Sequence, residues 1–203
     1  MLKFLKISVV LLILLIGGLI VSFYATPSIH EYLCMAPQLE KADSIVVFCG
    51  GSGYRAVRAD TLLKKGYSSH LILCGTEGEL QFIMGLFRKN ARTQKQRDFL
   101  KTIVQVPVPD TKNSVKYVVS LLKADREKRI LVVTGCCHIR RCNLLLNYYA
   151  LQAGNDKQII KRCRFAHEKA SEGASAGCKH IAWAEFLKCI AVIATSYFGL
   201  SPL

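Results

Sequence analysis

Three short apolar runs, each closing on glycine and two of them leading into a helical pattern, constrain this chain more than any other feature. They are Ser44-Ile45-Val46-Val47-Phe48-Cys49 before Gly50-Gly51, His70-Leu71-Ile72-Leu73-Cys74 before Gly75, and Ile130-Leu131-Val132-Val133-Thr134 before Gly135. A strand that is apolar on both faces must be covered on both faces, which is the requirement of a parallel sheet with helical crossovers. Between the first two runs, Ala56, Ala59, Leu62 and Leu63 recur at helical spacing from Tyr54 to Lys65, and Gly66 supplies the stop. That connection has the length of a β-α-β unit.

The same reading predicts a helix over Glu79 to Lys101, a strand at Thr102 to Val106, and a helix over Val115 to Leu122. It continues with a helix over Ile139 to Leu151, a strand at Gln158-Ile159-Ile160, and an apolar helix from Ile181 to Tyr197. Glu185 and Lys188 inside that last helix favour packing on the sheet over a membrane crossing. The expected fold class is α/β: a Rossmann-like three-layer domain with a mostly parallel sheet, preceded by one N-terminal transmembrane helix. A chain of 203 residues provides for one such core.

The transmembrane expectation comes from residues 7–25, an uncharged run interrupted only by small polar Ser8 and Ser22. As a helix it would extend about 28 Å, near the thickness of a bilayer core. Lys3 and Lys6 precede it, so the positive-inside rule keeps residues 1–6 cytoplasmic. Residues 26–41 then form a connector and residues 42–203 the domain. The expected localisation is the inner (plasma) membrane, single-pass, with the domain periplasmic or extracytoplasmic. A cleaved signal peptide is the competing reading, countered by the length of the run and the lack of an A-x-A site.

Formal net charge is +14, and every acidic residue lies beyond the first 30. With Lys3 and Lys6 set aside, the domain carries 26 basic against 14 acidic groups. Such an excess favours anionic partners: a phosphorylated or otherwise anionic small molecule, a lipid-linked glycan, or the inner-membrane surface. Export would make nucleic acid a poor partner. Nine cysteines include no CxxC pair; Cys49, Cys74 and Cys189 read as small core residues. Cys136, Cys137 and Cys142 gather near His138, yet adjacent cysteines do not suit a structural zinc, and no metal is expected. The cofactor is left unassigned.

Polar clusters fall where ligands of open parallel sheets bind, beyond the carboxyl ends of strands. The first is Gly50 and Gly51 with Arg55 and Arg58, where glycine permits close backbone approach. It lacks both GxGxxG and the GK[ST] ending of a P-loop, so neither dinucleotide binding nor ATP hydrolysis is indicated. The second is Asp110, Thr111, Asn113 and Ser114, where Asp110 or Thr111 could equally cap a helix. The third is Thr134 with His138, Arg140 and Arg141, pairing a proton-transfer group with guanidinium donors. His138 and Asp110 are the candidate catalytic residues, and the others are candidate ligand contacts.

These ordered motifs resemble those of the DUF218 domain family, the SanA/ElyC-like envelope proteins, across residues 42 to 195. Ala42-Asp43 before the first strand and Arg58-Ala59 in the next helix fit its pattern. Asp110-Thr111-Lys112-Asn113-Ser114 matches its Glu-Ser-x-Asn-Thr motif conservatively, and Thr134 to Arg141 matches its Thr-Ser-x-aromatic-His-x-x-Arg motif. Gly135 replaces the serine and Cys137 the aromatic residue. The resemblance implies a site containing Arg58, Asp110, Thr111, Asn113, Ser114, His138 and Arg141. It further implies a membrane-anchored cell-envelope protein, supporting peptidoglycan or lipid-linked glycan metabolism by binding or processing a phosphorylated intermediate. The alternative is non-catalytic envelope assembly, and enzyme activity is left open.

Overall fold

The computed structural model describes residues 16–18, 29–34, 39–50, 53–154, 156–167 and 172–198. The chain runs β1 (Ser44–Phe48), α1 (Tyr54–Lys64), β2 (His70–Gly75), α2 (Glu77–Asn90), α3 (Gln94–Thr102), β3 (Val104–Pro107) and α4 (Thr111–Lys123). It continues with β4 (Ile130–Thr134), α5 (Cys136–Gln152), α6 (Asp156–Arg162), β5 (Cys163–His167) and α7 (Glu172–Tyr197). A helical segment at residues 29–33 precedes β1.

The strands form one sheet in the order β3-β2-β1-β4-β5, with every neighbouring pair parallel. Alternation along the central strands divides the core. Val46, Phe48, Ile72, Ile130, Val132 and Phe165 face α4 and α5. Ile45, Val47, Leu71, Leu73, Leu131 and Val133 face α1 and α2. The doubly apolar sequence of β1 and β4 is thus matched by burial of all five residues in each strand.

The expected class, a Rossmann-like three-layer domain preceded by a transmembrane helix, requires correction. Helices far outweigh the sheet, whose strands never exceed six residues, so the chain is a mostly helical domain around a small parallel sheet. The anticipated anchor at residues 7–25 lies outside the described residues except for Ile16 to Gly18. Among the described residues no helix is long and apolar enough to cross a membrane. The longest, α7, has the length, but it contains Glu172, Lys179, Glu185 and Lys188. The single-pass inner-membrane topology and the periplasmic placement derived from it are therefore withdrawn.

Local chemistry explains the altered element boundaries. The helix expected over Glu79 to Lys101 is two helices because Thr93 forms a capping box with Gln96 and nucleates α3, after Ala91 has turned extended. Gln158 to Ile160 is helical, with Ile159 buried against the core, and the edge strand β5 starts at Cys163. Thr76 and Glu79 form a second capping box at the carboxyl end of β2.

Gly75 ends β2 where β1 passes closest. A Cβ there would sit 2.5 Å from Cys49 Cβ, an atom fixed to the backbone, and 2.9 Å from Glu79 Oε2. Gly75→Ala is expected to destabilise the fold by about 1–3 kcal/mol, read as a lower midpoint in urea denaturation; an unchanged midpoint would contradict this packing.

Candidate functional site

The strand order reverses between β1 and β4: the chain proceeds from β1 outward to β2 and β3, and from β4 outward to β5. A crevice opens beyond the carboxyl ends at such a switch point. Arg55 occupies it. From α1 its Nη1 donates to the carbonyls of Phe48 at 2.8 Å and Cys49 at 3.0 Å. A Cβ on Gly50 would meet Nη1 at 3.2 Å, and one on Gly135 would meet Nη2 at 3.0 Å. Glycine at both strand ends therefore admits the guanidinium between β1 and β4. Gly50 also has φ 127°, in the region that favours glycine.

Helix α5 begins at the end of β4, with Gly135 as its N-cap residue, and carries His138 and Arg141 one helical turn apart. Both face Glu185 of α7. Glu185 Oε2 lies 3.0 Å from His138 Nδ1 and 3.2 Å from Arg141 Nε, while Oε1 accepts from Lys188 Nζ at 2.8 Å. The carboxylate is only 2 % exposed. Oε2 receives no well-aligned hydrogen bond from either His138 Nδ1 or Arg141 Nε, so both contacts are electrostatic, and the carboxylate's hydrogen bond is the one Oε1 accepts from Lys188. Arg141 Nη2 donates to Thr111 Oγ1 at 3.2 Å, tying the start of α4 to the same group.

His138 Nδ1 has two neighbours, Glu185 Oε2 at 3.0 Å and Arg141 Nη2 at 3.4 Å. The guanidinium can only donate and the carboxylate can only accept; the nearer, charged carboxylate favours a proton on Nδ1, which leaves Nε2 as the basic nitrogen. Burial alone would raise the Glu185 pKa. Its close contact with His138, the hydrogen bond from Lys188 and the charge of Arg141 outweigh that effect and hold it at about 2.

The remaining candidates separate by what they touch. Asp110 caps α4: Oδ1 accepts from Asn113 N at 2.7 Å, and both carboxylate oxygens accept from Asn113 Nδ2. Ser114 is buried and donates to the Asp110 carbonyl. Thr134 is buried against Cys142. Arg140 Nε donates to the Tyr32 carbonyl at 3.0 Å, with its guanidinium 4.4 Å above the Tyr32 ring. Arg58 Nε is buried without a hydrogen-bond partner among the described residues. Gly51 lies outside the described residues. The structure thus brings together Gly50, Arg55, Thr111, His138 and Arg141, and gives Thr134, Ser114, Arg140 and the Asp110 carboxylate internal tasks.

A cavity of about 590 Å³ adjoins the cluster through Arg141. Asp110, Thr111, Lys112 and Lys188 form its polar wall, and Leu145, Leu187 and Val192 its apolar wall. Free thiols nearby are not activated. Burial pushes Cys49 and Cys74 up to about 12, and Cys142 up to about 11.

Glu185 was visible in the sequence only as a charge interrupting an apolar helix. An acid in that setting requires cationic partners, and Lys188, one turn on, is the partner its own helix signals. No protein-family model and no curated protein matches the chain.

The membrane-anchored envelope function and the peptidoglycan and DUF218 associations have no support from the matches or from a membrane helix. Nor do the expected partners, an anionic or phosphorylated molecule, a lipid-linked glycan and the inner membrane. Arg55, Arg140 and Arg141, which suggested an anion clamp, bond within the protein instead.

The cluster holds folded Glu185 at about 2 against an ordinary 4.5, so the unfolded chain binds more protons between those values. Its contribution to stability is complete above the unfolded pKa and declines as pH falls through this window. Acid should therefore lower the urea midpoint of the wild type more steeply than that of Glu185→Gln between these pH values. Parallel pH profiles would contradict the ion cluster.

Proposed function

We propose that the chain is an enzyme of the general acid–base type, in which His138 moves a proton at the carboxyl edge of the sheet. The observation carrying this reading is the 3.0 Å contact from His138 Nδ1 to the buried Glu185 carboxylate. A carboxylate in that position fixes the tautomer and stabilises an imidazolium when Nε2 accepts a proton. The His138 side chain keeps 24 % of its surface open, so a reactant can approach it. Glu185 is a positioning residue, held in turn by Arg141 and Lys188.

Gly135 borders the Cδ2 edge of the imidazole, and the half-buried thiol of Cys49 and the buried thiol of Cys142 are kept protonated. The nucleophile in this reading is external, a water molecule or a substrate hydroxyl whose proton passes to Nε2 as its oxygen attacks. The leaving group then recovers that proton. The Thr111 hydroxyl supplies a ligand contact on the wall of the neighbouring cavity, whose two-sided lining suits a polar metabolite with an apolar flank.

The test is turnover by the full chain on a panel of chromogenic esters, amides and glycosides. His138→Ala should lower turnover about 10²–10⁴-fold while retaining the fold by circular dichroism. Glu185→Gln should lie between it and wild type. Wild-type turnover no faster than that of His138→Ala on every substrate would contradict the proposal and leave the His138–Glu185 contact as a purely structural clasp.

A further inference from the structure

Two residues before His138, the helical segment at residues 29–33 meets the first residue of α5. Cys34 and Cys136 form a disulfide there across 102 residues of sequence. His30, one turn before Cys34, brings Nε2 to 3.5 Å from Cys34 Sγ. The His30 ring nitrogen and the two sulfur atoms all lie within 4.8 Å of one another, and all three residues are partly exposed. Beneath them Ile29, Leu33, Cys137, Ala182 and Cys189 form a separate buried cluster that holds the segment against α5 and α7.

We propose that, when reduced, His30, Cys34 and Cys136 form a binding site for Zn²⁺, and that the disulfide is the oxidised, metal-free form of the same site. Zinc takes thiolate sulfur at about 2.3 Å and imidazole nitrogen at about 2.0–2.1 Å in tetrahedral geometry. Those bond lengths set a sulfur-to-nitrogen separation of about 3.5 Å. His30 and Cys34 already show that separation. Once the sulfur–sulfur bond is cleaved, Cys136 Sγ needs to retreat only to about 3.8 Å from Cys34 Sγ to complete three corners. Solvent takes the fourth, consistent with the partial exposure of all three side chains.

The chemistry balances with an external dithiol as reductant. It delivers two electrons and two protons to the disulfide and becomes a disulfide itself, leaving two thiols on the chain. Zn²⁺ then displaces both thiol protons. Oxidation by an external disulfide reverses the sequence and releases the ion. The three ligands come from a connector and a strand-end helix, so their spacing fits no recognised zinc motif and is visible only in three dimensions.

The experiment uses the full chain, stripped of metal and reduced with a phosphine. It should take up one Zn²⁺ per chain, and Co²⁺ in its place should give thiolate charge-transfer absorption with intense visible bands of a tetrahedral centre. His30→Ala and Cys34→Ser should each weaken Zn²⁺ binding at least about 100-fold. The oxidised wild type should bind none. His30→Ala leaves the disulfide intact and decides the question should Cys34→Ser fail to fold. Absence of uptake by the reduced wild type, unchanged affinity in His30→Ala, or equal uptake by oxidised protein would each overturn the proposal.

Discussion

A carboxylate removed from water costs several kcal/mol unless charges and hydrogen bonds replace its hydration, and Glu185 meets that demand with three partners from two helices. The requirement fixes how α7 lies on α5, since displacing either helix would strand the charge. It also orders the neighbours: Arg141 is turned so that its far nitrogen reaches Thr111 at the start of α4, and His138 is turned so that Nδ1 faces inward. One buried acid thereby couples two helices to the end of a third. The apolar contacts of Ala182 and Cys189 with Cys137 supply the adhesive area around that polar centre.

The sheet determines where this centre can act. Because β1 and β4 are neighbours and their crossovers diverge, the sheet has a crevice at their carboxyl ends. Arg55 fills its floor by bonding two carbonyls at the end of β1, and Gly50 and Gly135 give the guanidinium room. A side chain introduced at either glycine would press on the arginine. The basic character suggested by composition is thus partly architectural: guanidinium groups close gaps in the backbone hydrogen bonding before any ligand is considered.

Strands β1, β2 and β4 were legible because their burial on both faces leaves an unbroken apolar run. β5 was not, since Arg164 interrupts it and the β-branched pair Ile159-Ile160 just upstream imitates a strand while serving a short helix. The position of His138 at a strand end was also readable. Its partner was not, because pairing between α5 and α7 is a tertiary event with no local periodic trace. The disulfide escaped for the same reason: Cys34 lies in what reads as connector, and nothing in its surroundings indicates Cys136. Asp110 illustrates the reverse case, in which a residue suited to catalysis is engaged as a helix cap through Asn113.

Proton transfer at the sheet edge depends on which nitrogen of His138 bears the proton. Long-range ¹H–¹⁵N correlation spectra of the imidazole, recorded on the neutral ring in wild type and in Glu185→Gln, address this directly. The structure predicts a protonated Nδ1 and an unprotonated Nε2 in wild type, with that preference reduced when the carboxylate is removed. A proton on Nε2 in the wild type would contradict it, because the basic nitrogen would then face Glu185 rather than a reactant.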